Sequence, residues 1–245
     1  MKQFEAIGYV LNRKNLKDSD RILTVFTHQS GKISLVAKGI KKPKAKLQSQ
    51  VEPLVEIKFR YLGNGKLPVL VGAQAIEANA YFDSAIEQRL IALLATETLS
   101  LITIEGQPNE DLYRLYKSSL ESMINSKKLL LELIYLLINM MKLSGIEPHA
   151  DGTSKNAKLY FDYDEGRVAN KIGNHKYSPI SHDVAKLWMI CTKYHKQTVL
   201  RLRLDAKTLN NATSLLVEYL QYHYGKKIKS YKVLINSTNL LQASA

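Results

Sequence analysis

Arg21-Ile22-Leu23-Thr24-Val25-Phe26-Thr27-His28-Gln29-Ser30-Gly31-Lys32-Ile33-Ser34-Leu35-Val36-Ala37-Lys38 is the stretch that decides the fold. In its first half Ile22, Thr24 and Phe26 project to one side and Leu23 and Val25 to the other, the period of two that marks a strand. The second half returns as another β-prone run. His28-Gln29-Ser30-Gly31 between them, with glycine at the tight position, predicts a hairpin.

Working outward, Phe4 to Leu11 is a β-prone start, Val51 to Leu62 reads as a fourth strand and Leu67 to Ala78 as a fifth, across the turn Gly63-Asn64-Gly65. Five short strands in about 80 residues match an OB-type Greek-key barrel. An SH3-like barrel fits the same pattern. Between the third and fourth strands lies Lys38 to Lys46, K-G-I-K-K-P-K-A-K, with five lysines and no acid. Such a loop can follow a polyanion, because each lysine that neutralises a phosphate releases counterions. It can equally keep a sheet edge soluble.

Net charge weighs on that choice. The chain of 245 residues carries a formal charge of +13, which favours nucleic acid or another anionic surface as partner. The charge is uneven: residues 1–79 hold 14 Lys+Arg and 6 Asp+Glu, and residues 80–245 hold 21 and 16. The single cysteine, Cys191, excludes a disulfide within the chain and fits a reducing compartment. Lys2 and Glu5 interrupt the N-terminus, so no signal peptide is expected. The longest apolar run, Leu129 to Met141, is shorter than the roughly 20 residues of a membrane span.

Beyond residue 80 the period changes. Ala85 to Ile104 carries Ile86, Leu90, Leu93, Leu94 and Leu101 at helical spacing. Asn109 is a plausible N-cap for a second helix with Leu112, Leu115, Tyr116, Leu120 and Met123 on one face. Lys127 to Leu143 is apolar nearly all round and is expected to be central. Residues 149–180 are glycine-rich and polar, with a small hairpin, Leu159 to Tyr163 and Arg167 to Ala169, around Asp164-Glu165-Gly166. Ser181 caps a helix to about His195, Asp205 or Thr208 starts another that Gly225 closes, and an amphipathic piece follows Ser230. The expected class is α+β: a small basic β-barrel domain over 1–80, of OB or SH3-like type, then a mainly helical domain over 81–245 with an irregular hairpin segment at 149–180; with the resemblance given below, the first becomes an OB-fold DNA-binding domain.

Catalytic and metal chemistry find little support. Asp162-x-Asp164-Glu165 is followed by Gly166 and reads as a turn rather than a divalent-metal site. His175, His182, Cys191 and His195 have irregular spacing for zinc. Gly63-Asn64-Gly65-Lys66 lacks the spacing of a phosphate-binding loop. Neither catalytic residues, nor a metal, nor a cofactor is expected. Tyr9, Phe26, Phe59 and Tyr61 are candidates to stack on bases, with core packing the alternative, favoured for Phe26.

Asp18-Ser19-Asp20-Arg21-Ile22-Leu23-Thr24-Val25-Phe26-Thr27, followed by Gly31-Lys32-Ile33-Ser34-Leu35-Val36-Ala37-Lys38-Gly39, closely resembles the N-terminus of the bacterial recombination mediator family RecO, a likeness that continues through Leu47 and Glu52-Pro53-Leu54. Gly145-Ile146-Glu147-Pro148 resembles the segment that closes the family's central helix. Tyr219-Leu220-x-x-His223-Tyr224-Gly225-Lys226-Lys227-Ile228-Lys229-Ser230 resembles its C-terminal motif, with Ile228 where the family has proline. Many members bind zinc through two Cys-x-x-Cys pairs around the small hairpin. This chain has no cysteine between 149 and 180, so no zinc is expected.

The resemblance implies a DNA repair and recombination mediator of the RecF pathway, cytoplasmic and nucleoid-associated. It implies binding of single- and double-stranded DNA, annealing of complementary strands and, with RecR, loading of RecA onto DNA coated by single-strand binding protein. None of this is covalent catalysis. The expected DNA-binding residues are Lys38, Lys41, Lys42, Lys44 and Lys46 of the loop, with Arg21 and Lys32 extending the track from the ends of the hairpin. For Arg21 a surface pair with Asp18 or Asp20 is the other reading. The family's recognition of the acidic, apolar tail of single-strand binding protein needs a basic residue beside an apolar groove. Arg114, Lys117, Lys127 and Lys128 are the expected set, and Lys226, Lys227 and Lys229 the other. An RNA-binding OB protein of translation or RNA processing remains the alternative function, and a metal-dependent nuclease or transferase built on Asp162, Asp164 and Glu165 a third.

Overall fold

Arg21–Thr27 (β2) and Gly31–Ala37 (β3) pair antiparallel in unbroken register, from Arg21 opposite Ala37 to Thr27 opposite Gly31. The turn closes on the Thr27 hydroxyl, which donates to the Gly31 carbonyl at 2.9 Å and accepts the Ser30 N–H at 3.0 Å. Gly31 sits at φ +67°, and a Cβ there would lie 2.1 Å from the Gln107 carbonyl oxygen. Only glycine satisfies both the left-handed backbone and that close approach.

The structure is a computed structural model. It describes residues 2–16, 18–42, 48–63, 67–76, 81, 84–150 and 157–243. Two compact units divide it, Met1–Lys117 and Ser118–Ala245.

In the first unit Gln3–Asn15 (β1) is long enough to pair with β2 along its second half and with Glu56–Leu62 (β4) along its first. Val69–Ala75 (β5) lies antiparallel to β4 and meets β3 in parallel at Val36 opposite Val69. The order β1-β2-β3-β5-β4 closes on itself, which is the OB arrangement and separates it from an SH3-like barrel. Ala6, Val10, Leu23, Val25, Leu35, Ile57, Phe59 and Leu70 fill the interior. Ile40, Val51 and Val55 extend that core beyond the strands. Ile86–Ile102 (α1) and the start of Glu110–Ile124 (α2) belong to the same unit.

The expected fourth strand, Val51 to Leu62, is shorter. Gln48–Gln50 is a 3-10 turn, Leu54 adopts φ +75°, and the strand begins at Glu56. Val10 exchanges backbone hydrogen bonds with Leu54 and Val55 (3.1 and 2.9 Å). The apolar residues before Glu56 therefore cap the barrel core. The fifth strand's last expected residues, Glu77 and Ala78, lie outside the described residues.

In the second unit Leu129–Leu143 (α3) is central, as its apolar circumference requires, and packs on His182–Lys193 (α4), Lys196–Val199 (α5) and Ala206–Tyr224 (α6). Ser181 and Asp205 cap α4 and α6 through side chains that accept the Val184 and Thr208 N–H groups, and Gly225 ends α6 at φ +63°. Helix α4 stops at Lys193, short of the expected His195, which caps α5. Lys229–Ala243 (α7) follows. The expected hairpin gains a strand: Leu159–Asp162 (β6) lies between Arg167–Ala169 (β7) and Tyr177–Ile180 (β8).

Candidate nucleic-acid interface

Strand register gathers one end of the barrel. Asn15 stands opposite Arg21, and Arg21 opposite Ala37, so the end of β1, the start of β2 and the end of β3 coincide. The chain leaves β3 at Lys38, turns at Gly39 (φ +64°) and buries Ile40 to 1% exposure. The Asp20 carboxylate accepts the Gly39 N–H at 2.7 Å, and the Ser19 carbonyl accepts the Lys41 N–H at 3.0 Å. The basic segment therefore starts pinned to the β1–β2 loop, with an isoleucine driven into the core and lysines on either side. Lys38 and Lys42 are exposed and Lys41 is half-buried. Lys44 and Lys46 lie outside the described residues.

Arg21 belongs to the same end. Neither Asp18 nor Asp20 pairs with it. Asp20 serves Gly39, and the Arg21 Nε donates to Asn15 Oδ1 at 3.4 Å. Lys14, exposed on β1 opposite Ile22, adds a cation that the sequence reading did not single out. Lys32 is elsewhere. It stands opposite Phe26, five residues along β2 from Arg21, or about 17 Å at the antiparallel rise. Its ammonium donates to the Ser100 and Thr103 carbonyls at 2.8 and 2.5 Å, orphan acceptors at the C-terminal end of α1, where a cation also meets the negative end of the helix dipole. Arg21, Lys38, Lys41 and Lys42 are thus brought together, and Lys32 is not among them.

Of the aromatic candidates, Phe59 is barrel core. Phe26 is fully buried on the outer face of β2, under Tyr113, and Tyr9 packs against Tyr113 and Tyr116. Tyr61 is half-exposed and stacks on Phe4, with ring centroids 5.3 Å apart. These two rings line one side of a groove of about 640 Å³ with Ile33, Ser34 and Pro68.

The cations expected to meet an acidic tail mostly have intramolecular partners. Arg114 pairs with Glu110, and Lys117 with Glu56 at 2.8 Å. Lys128 donates to the Leu200 and Leu202 carbonyls at 2.6 and 3.1 Å. Lys127 is exposed, as are Lys226, Lys227 and Lys229 around the buried Ile228.

At the small hairpin, where the resemblance raised the question of zinc, the donor set is not one of thiolates. Among the described residues, Asp162, Asp164 and His175 are the group whose ligand-type atoms fall within 4.8 Å of one another; His182, Cys191 and His195 do not join them. Burial would raise the Asp162 carboxyl. The Glu165 N–H, the Tyr177 hydroxyl, His175 and the Asp164 N–H more than offset it and hold the group below its ordinary value. Tyr222 donates to Asp164 Oδ1 at 3.0 Å. These carboxylates are committed to organising a turn, and the described hairpin has no thiolate, so the residues do not fit a zinc–thiolate centre. Cys191 is buried, which pushes its thiol up to about 12.

Comparison with known proteins agrees with the barrel and the helical unit. Residues 1–79 match the family model described as recombination protein O N terminal, and residues 84–232 the one described as recombination protein O C terminal. The chain is similar to proteins called DNA repair protein RecO. One, from Desulforamulus reducens, is 24% identical over 94% of this chain and 93% of its own. Another, from Pelotomaculum thermopropionicum, is 23% identical over 96% and 94%, and a third, from Exiguobacterium sibiricum, 23% over 96% and 98%. With both family models matched in order along its length, the chain belongs to the RecO family of DNA repair and recombination proteins.

Proposed function

We propose that the chain is a recombination mediator that binds single- and double-stranded DNA, anneals complementary strands and, with RecR, helps RecA displace single-strand binding protein. The observation that carries this reading is the barrel end at Lys14, Arg21, Lys38, Lys41 and Lys42. There, cations from two strands and one anchored loop converge beside a loop sequence without an acid. Lys44 and Lys46 belong to the same track by sequence. Lys32 is left out because its ammonium serves α1. The role is to hold and align strands, so its energetics are phosphate neutralisation and not bond chemistry. Annealing of complementary oligonucleotides coated with single-strand binding protein, with and without this chain, tests it. No acceleration overturns the proposal. Equal competition by RNA of the same sequence would favour the RNA-binding alternative.

For the acidic tail we place the contact at Lys226 and Lys227, exposed beside the buried Ile228, rather than at Arg114, Lys117 and Lys128, whose charged groups are engaged within the chain. Lys127 is the remaining candidate from that set. Charge reversal at Lys226 and Lys227 should abolish binding of a tail peptide and leave annealing of bare DNA intact. Loss on reversal at Lys127 instead would move the site.

A further inference from the structure

Directly opposed residues of an antiparallel pair project to the same face. Leu23 and Val25 of β2 and Leu35 and Ala37 of β3 lie in the barrel core. Arg21, two residues before Leu23 and opposite Ala37, continues that inward row. On β1 the row should run from Val10 to Asn12, but a bulge between Val10 and Asn12 shifts it by one. Arg13 now stands opposite Leu23 and Asn15 opposite Arg21, while Asn12 is exposed. Bulges re-aim side chains in this way. Two guanidiniums, Arg13 opposite Leu23 and Arg21 opposite Ala37, therefore stand in the inward rows at the mouth of the barrel, with Asn15 completing the row on β1. Glu52 pairs with Arg13 and is the acid on hand. Among the described residues the buried Arg21 Nη1 has no hydrogen-bond acceptor, an arrangement that is costly unless an anion completes it. Burial first, and the charge of Arg21 second, hold the Arg13 guanidinium below its ordinary value, in keeping with two like charges sharing one partly dry site.

We propose that this mouth is a phosphate-binding site, with Arg13 and Arg21 as its fork donors and Glu52 as the counter-ion that the phosphate displaces. On a bound strand it takes one backbone phosphate, a role that rests on the DNA-binding reading above. Planar guanidinium forks suit phosphate geometry in a way that an ammonium does not. The site thereby differs from the lysines of the neighbouring loop, which act as point charges.

The test uses the full chain and four variants: Arg21→Lys, Arg21→Ala, Glu52→Gln and the fourfold Lys41, Lys42, Lys44, Lys46→Ala. Thermal melting is compared in inorganic phosphate and in chloride at equal ionic strength, and binding of a labelled thymidine oligonucleotide is followed across a salt series. Phosphate should raise the Tm of the wild-type chain and of the fourfold variant, but not of the Arg21 variants. Arg21→Lys should weaken oligonucleotide binding about tenfold, the effect of a lost charge-assisted bond. Glu52→Gln should tighten it. Arg21→Lys keeps the charge, so it remains informative if Arg21→Ala fails to fold. A folded Arg21→Lys chain that binds phosphate and oligonucleotide as the wild type does overturns the site. If the fourfold variant loses DNA in that experiment, the DNA interface stands without it. A phosphate-dependent Tm that Arg21→Lys removes, in a chain that binds no oligonucleotide, supports the anion site and overturns the DNA reading.

Discussion

The carboxylate of Asp20 holds the backbone of Gly39, Oδ1 to N at 2.7 Å, and does not pair with the arginine beside it in sequence. One acid thereby sets where the basic loop leaves the barrel and is not spent on Arg21. Asp20→Ala should cost about 1–2 kcal/mol, the range of a hydrogen bond to a charged acceptor at a part-exposed site. It should also weaken DNA binding by freeing the start of the loop. Urea denaturation and an oligonucleotide titration measure the two effects. Undiminished stability would mean that Gly39 does not depend on Asp20.

Replacing Lys41, Lys42, Lys44 and Lys46 with alanine should weaken DNA binding for every sequence alike. The slope of log affinity against log salt should flatten by about 0.7 for each contact to single-stranded DNA that is lost. Tm should move little if Ile40 stays seated. An unchanged slope would make the loop a solubilising edge.

Lys32→Met should behave in the opposite way. It strands the Ser100 and Thr103 carbonyls and should destabilise the first unit by about 1–3 kcal/mol, while the salt slope of DNA binding stays at the wild-type value. Calorimetry and the same salt series decide it. A flattened slope would return Lys32 to the phosphate track.

Acid should loosen the small sheet of the second unit. The folded Asp162 carboxyl lies below its ordinary value of 3.8. On acidification the unfolded chain therefore takes up this proton first. The stability it supplies is complete above that ordinary value and is lost as pH falls through it towards the lower folded one. Trp188, the only tryptophan, lies edge-on to Phe161 at 5.1 Å and reports the sheet by fluorescence. Asp162→Asn should lower stability at neutral pH and flatten its acid dependence, and a chelator should leave the signal unchanged.

Much of this was legible in the sequence, for identifiable reasons. The β2–β3 hairpin has clean alternation and a glycine where the turn needs a left-handed residue. The caps at Asn109, Ser181 and Asp205 and the stop at Gly225 follow from local chemistry alone. Other features were hidden because they are not local. Val51 to Val55 looks like strand, but Leu54 takes a left-handed backbone and its neighbours plug the barrel. Strand β8 carries Pro179, which speaks against a strand unless it lies at an edge, as it does here. Lys32 looked like another free cation in a basic region, since its acceptors are 68 and 71 residues away. Arg13 went unnoticed because only the bulge, a property of pairing, turns it inward.

The barrel closes through one parallel pair, Val36 with Val69, and the Val36 N–H bond to the Pro68 carbonyl at 2.9 Å, whereas its other seams are full antiparallel ladders. Opening there breaks few hydrogen bonds and leaves all five strands joined through the other four seams, so this seam is the natural locus of sub-global fluctuation. In native-state hydrogen exchange the amide of Val36 should exchange well before those of Val25 or Phe59. The first unit would then behave as a curled sheet with a latch, able to part between β3 and β5 without unfolding.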